Sequence, residues 1–288
     1  MDFEFSTEQD ELRTSVRRFL ASERREEWTG LVDLGLLDDA LTMTDLGVVL
    51  EEMGRALYSG PFLSTVAARW AGYTGDRTAT IAIDLEHVPD AGVAEVVLIV
   101  DGDDVYAIEE FDVSPKESPD LSRTFGSVTP RERGHKVASG TLPAAIDRWN
   151  IGYAVDGVGA ASVALEMAVA YSHERVQFDR PIGSFQAVQH LCADMLTALE
   201  LGRAGAYYAL WAADNESPDE VHRAATMAMA YASDAFHRIG ADAIQVFGGI
   251  GYTWEHNIHR FYKRLLTLQT VHGTASKHLE ELARIVIS

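Results

Sequence analysis

Arg175-Val176-Gln177-Phe178-Asp179-Arg180-Pro181-Ile182-Gly183-Ser184-Phe185-Gln186 stands between two long helical patterns. Before it, small and apolar residues recur at helical spacing at Ala154, Val158, Ala161, Leu165 and Ala168. After it the spacing resumes at Leu191, Met195, Leu199, Ala206 and Leu210. The stretch is therefore a corner between helices, and it gathers two arginines, a proline and a glycine. Phe178, Pro181, Ile182 and Phe185 call for burial, which would hold Arg175 and Arg180 ready to meet a phosphate with a planar guanidinium fork. A companion, Gln245-Val246-Phe247-Gly248-Gly249-Ile250-Gly251-Tyr252, ends a later helix. Its glycines would let a phosphate or ribose approach backbone N–H groups. On spacing alone, a solvated corner and an ordinary glycine helix terminus explain the same residues.

Working outward, Pro143 opens the helix that leads into the corner, and Ala187 to Ala213 forms the one that leaves it. Pro218 suits the first turn of a third helix that runs to about Val246. A shorter helix follows from about Asn257 to Leu266, and Thr274 caps a last one ending near Ile287. These elements predict an antiparallel four-helix bundle over 141–288. The run Gly152, Gly157, Gly159, Ala160, Ala161 and Ala164 permits close approach of another backbone or of a flat ligand. At the other end of the chain, 1–75 reads as helices. Ser6 and Gln9 form a capping box, Thr44-Asp45 is a cap pair for a helix that Tyr58-Ser59-Gly60-Pro61 stops, and Phe62 to Trp70 is a further helix. Between them, 76–140 changes to a period of two. Thr80 to Ile83, Glu95 to Val100 and Val105 to Ile108 read as strands, with a hairpin turn at Asp101-Gly102-Asp103-Asp104. Phe111 to Ala138 should hold loops with one or two short strands. The fold class is α+β, mainly α, with a reduced middle β domain.

Composition narrows the function. A formal charge of -20 repels nucleic acid and anionic lipid, so any phosphate site must concentrate its few arginines. There is no run of about 18 apolar residues and no basic, apolar leader, which predicts no membrane span and a cytoplasmic chain. The lone cysteine, Cys192, excludes an internal disulfide framework and a thiolate metal site, and no metal is expected. Glu255, His256 and His259 lack the H-E-x-x-H spacing and read as exposed polar faces. No G-x-S-x-G and no strand-borne G-x-G-x-x-G occurs. The adjacent pairs Glu51-Glu52, Glu109-Glu110 and Glu280-Glu281 point to different sides and make no carboxylate dyad.

From end to end the chain resembles the acyl-CoA dehydrogenase family. Phe5-Ser6-Thr7-Glu8-Gln9-Asp10-Glu11-Leu12-Arg13 looks like its first helix, and Leu50-Glu51-Glu52-Met53-Gly54-Arg55-Ala56 like its "LEELGRA" helix. Most specific are Tyr171-Ser172-His173-Glu174-Arg175-Val176-Gln177-Phe178, the Pro181 to Gln186 segment, and Gln245 to Tyr252. The resemblance implies FAD, an acyl-CoA thioester and α,β-dehydrogenation, with an electron-transfer flavoprotein as acceptor. It implies that Arg175, Phe178, Gln245, Gly248 and Gly249 hold the adenosine-pyrophosphate half of FAD across a subunit boundary, with Thr274 as a further cofactor contact.

The chain departs from the family where chemistry is concerned. The turn that usually reads "YEGT" and supplies the catalytic glutamate reads Val271-His272-Gly273-Thr274, with His272 in the glutamate's place. The alternative base position falls on Trp149. The "TEPxxGSD" loop, the tryptophan-threonine strand and the "PxxxGG" turn are missing. Asp179 stands where glycine is common and places a negative charge beside the expected phosphates, unless Arg175 or Arg180 pairs with it. A chain that keeps the distal grip and lacks the base resembles the smaller subunit of heteromeric (α2β2) bacterial acyl-CoA dehydrogenases, including those acting on steroid side-chain CoA thioesters. Its partner would then be a related catalytic chain. One alternative is an autonomous dehydrogenase with His272 as base, since imidazole titrates near neutrality. Another is a scaffold or regulatory paralogue, because a fold alone grants no activity.

Overall fold

The computed structural model describes residues 5–287. Four helices come first: α1 (Thr7–Leu20), α2 (Trp28–Asp33), α3 (Met43–Arg55) and α4 (Phe62–Trp70). The Ser6 hydroxyl accepts from Gln9 N while the Gln9 side chain returns to Ser6 N, closing the capping box that starts α1. The start of α3 differs from the expected Thr44-Asp45 pair. Thr42 is the cap, and Asp45, at the third helical position, completes a second capping box. Thr44 is inside the helix, where its hydroxyl donates to Asp214 at 2.7 Å.

Next come β1 (Ala79–Ala82), β2 (Val88–Pro89), β3 (Val96–Asp101), β4 (Asp104–Ile108), β5 (Phe111–Lys116), β6 (Phe125–Pro130) and β7 (His135–Ser139). One sheet has the order β1-β3-β4-β7, with β1 and β3 parallel and the other pairs antiparallel. A second, antiparallel sheet has the order β2-β6-β5. Asp101 pairs with Asp104 across a turn whose Gly102 has φ +61°, the left-handed region that glycine enters freely. The stretch from Phe111 to Ala138 holds three strands, more than expected. Its prolines do not exclude pairing: Pro115 lies on the edge strand β5, and Pro130 is the last residue of β6. Ala82, Val88, Ala91, Val97, Ile108 and Val128 form a small core of their own in the sheet region.

The remaining helices are α5 (Leu142–Glu174), α6 (Gln186–Asn215), α7 (Pro218–Phe247), α8 (Ile258–Thr267) and α9 (Ala275–Ile287). Between α5 and α6 lie the short strands β8 (Val176–Gln177) and β9 (Arg180–Pro181). Helix α5 is the centre of the molecule. It is long and apolar enough to cross a bilayer, which the sequence reading did not anticipate, yet 72% of its most apolar window is buried against the other helices. Its small residues serve close packing. A Cβ on Gly159 would lie 2.0 Å from the Glu51 carbonyl oxygen, and one on Gly54 of α3 would lie 2.0 Å from the Asp156 carbonyl oxygen. The α3–α5 crossing thus brings two backbones into contact, leaving no room there for a flat ligand.

Helix α6 returns along α5, and α7 then runs parallel to α5. The C-terminal ends of α5 and α7 meet where Tyr171 stacks on Phe247, with centroids 4.3 Å apart. Their N-terminal ends share the opposite end of the bundle with α9, where His222 of α7 bonds Asp147 of α5 at 2.8 Å and approaches Glu281 of α9 at 3.6 Å.

Candidate functional site

At the first end, α5 stops at Arg175, whose N–H still donates to the Tyr171 carbonyl. The chain then makes a two-residue hairpin. Gln177 pairs with Arg180 across Phe178 and Asp179, whose φ values are +52° and +61°. Consecutive left-handed residues are what a tight turn of the primed type demands, which explains why glycine would suit position 179 and why an aspartate is tolerated there. The expected burial of Phe178 does not occur within this chain. The ring is 86% exposed and meets Phe185 edge-on at 6.1 Å. Arg180 lies over the Phe185 ring at 4.0 Å. Neither arginine pairs with Asp179, and Arg175 has no ion pair among the described residues.

The stack of Tyr171 on Phe247 sets the Gln245–Gly249 corner beside Arg175. Gln245, Gly248 and Gly249 are exposed. Gly248 has φ +64°, and a Cβ on either glycine would meet nothing within 4 Å, so the corner is an open cradle. An unpaired guanidinium next to an open glycine corner fits a pyrophosphate. His256 belongs to this end too, packed 4.2 Å from the Phe247 ring. His259 is 7% exposed with its ring on Trp254 at 4.7 Å. These two histidines are therefore packing groups rather than the exposed polar face expected of them.

His272 and Thr274 lie elsewhere. They sit in the α8–α9 turn, beside the first turns of α5. Here a cavity of about 580 Å³ opens between the sheets and the bundle. Ile81, Phe125, Trp149, Tyr153, Leu266 and His272 are among its walls. His272 has φ +50° and its Nδ1 bonds Asn150 Oδ1 at 2.7 Å. Since an amide oxygen only accepts, Nδ1 carries the proton and Nε2 keeps its lone pair. The imidazole edge meets Trp149 at 4.6 Å and Tyr153 at 5.7 Å. Burial, with His278 nearby, pushes the imidazole down to about 4. His272 is thus a neutral and weak base, well below the near-neutral value assumed from sequence. Thr274 caps α9, its hydroxyl accepting from Lys277 N at 3.4 Å. Among the described residues, the carboxylates on the cavity wall are Asp84 and Glu117, both exposed rim groups.

Six candidate residues and His272 therefore fall into two groups. Arg175, Phe178, Gln245, Gly248 and Gly249 share one end of the bundle, whereas His272 and Thr274 sit near the other. From Asn150 to Arg175, α5 rises about 37 Å at roughly 1.5 Å per residue. Sequence reasoning also missed a buried charge network beside the cavity. Arg264 is 3% exposed and meets Asp156 at 3.1 Å and Asp120 at 3.2 Å. It also donates to the Tyr58 carbonyl at 2.6 Å and the Ser122 hydroxyl at 3.2 Å. Arg123 reaches Asp156 at 2.7 Å and covers the Tyr153 ring at 4.7 Å.

A family model described as "Acyl-CoA dehydrogenase, C-terminal domain" matches residues 132–287. Acyl-CoA dehydrogenase IpdE2 of Mycolicibacterium smegmatis is 34% identical over 245 residues, covering 81% of this chain and 74% of that protein. Three solved structures share the fold. The Tcur3481-Tcur3483 steroid ACAD G363A variant superposes with a TM-score of 0.86 at 24% identity, covering 97% of this chain and 98% of its own. The ChsE4-ChsE5 complex from Mycobacterium tuberculosis gives 0.82 at 22%, covering 100% and 99%. The FAD complex of PigA gives 0.82 at 18%, covering 99% of each.

Proposed function

The chain belongs to the acyl-CoA dehydrogenase family, and we propose that within it the chain is the subunit that completes the FAD site of a related, catalytic partner in an α2β2 assembly. The observation that carries this reading is the separation along α5. Asn150, which holds His272 at the cavity, and Arg175 are about 37 Å apart along α5, a longer span than a single bound dinucleotide bridges. Arg175 and the glycine corner therefore serve a cofactor whose reactive half lies in another chain, and dimerisation is part of binding. The two positions from which the family draws its base hold Trp149 and a weakly basic His272, so proton abstraction falls to the partner.

In this reading Arg175 clamps the pyrophosphate through its planar fork, and Gly248 and Gly249 let it approach the backbone. Gln245 hydrogen-bonds the adenosine half, and Phe178, exposed here, is covered by cofactor and partner. FAD held there would supply a hydride acceptor for the β-hydrogen of an acyl-CoA thioester, with an electron-transfer flavoprotein as the implied electron acceptor. Two structural neighbours, a steroid ACAD named for a pair of proteins and a two-protein complex, support a heteromer and a steroid-derived acyl group. The test is to express the chain alone and with a full-length related chain, then measure flavin absorbance and thioester dehydrogenation. Both should appear in the assembly and not in the lone chain. Stoichiometric flavin with turnover in the lone chain would overturn the proposal.

A further inference from the structure

At the end of the bundle away from the grip, His222 stands between two carboxylates. Its Nδ1 is 2.8 Å from Asp147 Oδ1 of α5, and its Nε2 is 3.6 Å from Glu281 Oε1 of α9. A carboxylate only accepts, so both contacts are favourable only when both ring nitrogens carry protons. The neutral ring keeps one proton. With that proton on Nδ1, in the shorter bond to Asp147, the Nε2 lone pair faces the Glu281 carboxylate and the contact turns repulsive. The arrangement therefore selects the imidazolium. Burial opposes that charge, but the bond to Asp147 and the neighbouring Glu281 outweigh it and push the imidazole up from its ordinary value. Burial also pushes the Asp147 carboxyl up, against the pull of His222, and the imidazole remains the more basic of the two.

Helix α9 is what hangs on this contact. Among its described residues His278 alone is buried, and Leu279, Val286 and Ile287 are exposed. A helix held by so little buried surface opens at a low free-energy cost. The other charges around the contact are accounted for. Glu281 Oε2 accepts from Arg284 of its own helix at 2.6 Å, which leaves Oε1 for His222. Arg148 neighbours Asp147 on α5. On α7, Arg223 is bonded to Glu220, and Asp219 stands one turn before His222. At the head of α9 the His278 ring bonds the Val271 backbone, and burial pushes both His278 and His272 down, His272 to about 4.

We propose that His222 is a proton-operated latch for α9: its imidazolium ties Glu281 of α9 to Asp147 of α5, and loss of the proton lets the helix open more often. The docked helix binds the His222 proton more tightly than the open one. The latch is therefore engaged below the ordinary imidazole value and is lost as pH rises through the raised one. Charging of His278 and His272 sets the acid limit, so α9 docks best at mildly acidic pH. The latch is built from α5, α7 and α9 alone, and it stands whether or not the chain serves a partner's flavin.

Hydrogen exchange of the full chain, read on peptides spanning α9 and corrected for intrinsic rates, measures how often the helix opens. Protection of α9 should fall about two- to fivefold between about pH 6 and about pH 9, the worth of one partly exposed ion pair. Glu281→Gln and His222→Gln should each abolish the fall. His222→Lys, charged across this range, should keep the higher protection at both pH values. Glu280→Gln removes the same charge from an exposed neighbour on α9 and should leave the fall as it is. By NMR, the His222 ring signal, assigned through its loss in His222→Gln, should titrate about 0.3 to 0.7 pH units lower in Glu281→Gln. A fall in protection that persists in Glu281→Gln, its absence from the unmodified chain, or an unshifted midpoint would sink the proposal.

Discussion

Arg264 is the residue whose loss the structure lets one weigh most closely. Its guanidinium is 3% exposed and joins four parts of the chain: Asp156 of α5, Asp120 and Ser122 before β6, Tyr58 after α3, and its own helix α8. Arg264→Met keeps much of the side-chain stem and removes the charge. Asp156 and Asp120 then share Arg123 alone. Breaking a buried pair by removing one partner costs about 3–5 kcal/mol, and the contact kept between Arg123 and Asp156 at 2.7 Å argues for the lower figure. Unfolding entropy near the midpoint is about 2.1 cal/mol/K per residue, or roughly 0.6 kcal/mol/K for 288 residues. A loss of about 3 kcal/mol therefore lowers Tm by about 5 °C. Arg264→Met with Asp156→Asn should recover part of the loss, since the stranded carboxylate is gone. Calorimetry between about 0.05 and 0.5 M salt should show a constant shift, because buried charges are weakly screened. A shift under about 1 °C, or one abolished by salt, would refute the reasoning.

Four further outcomes follow from particular contacts. Arg175→Ala should weaken FAD binding by the assembled protein about 10- to 100-fold, the worth of a charge-assisted clamp, read by titrating flavin-free assembly; unchanged flavin content would favour a scaffold role. Asp179→Gly removes a negative charge beside the grip and relaxes a residue at φ +61°, so FAD should bind about two- to threefold tighter at low salt, the gain fading as salt rises. Gly159→Ala forces a Cβ to within 2.0 Å of the Glu51 carbonyl oxygen and should cost about 3 kcal/mol or more in thermal unfolding. His272 is depressed from 6.5 to about 4 in the folded chain, so the unfolded chain binds the extra proton between those values. Stability should thus be intact above pH 6.5 and fall by up to roughly 3 kcal/mol as pH drops to 4, and His272→Phe should flatten that part of the Tm profile.

Local signals were readable in the sequence, and signals that depend on contact between distant segments were not. Ser6 with Gln9 marks a helix start through bonds made within one turn, Pro218 marks another by suiting a first turn, and the structure places α1 and α7 there. The Gly-rich run of α5 declared close packing, although not which carbonyl would be met. By contrast, β5 and β6 were underestimated because Pro115 and Pro130 argue against a strand until the edge and the strand end are known. The hairpin at Phe178-Asp179 carried no glycine to announce it. Arg264 finds Asp156 across 108 positions and Tyr58 across 206, and Asn150 finds His272 across 122. Each is an isolated polar residue in an ordinary pattern, and only burial reveals its partner.

The separation of the two ends of α5 depends on the bundle rather than on either motif. Arg175 and Gly248 come together because α5 and α7 run parallel with α6 returning between them, a consequence of three helices of 30 to 33 residues. The same lengths carry His272 away, since α8 and α9 turn back toward the start of α5. Shortening α7 alone by two turns would end the Tyr171–Phe247 stack at 4.3 Å and part the two corners. Helix length, set by the positions of Pro143, Pro218 and the glycines at Gly248 and Gly249, is thus what brings Arg175 beside Gly248 and what sets His272 far from both. In the proposed assembly, a partner built on the same fold and facing the other way would bring its cavity to this chain's grip.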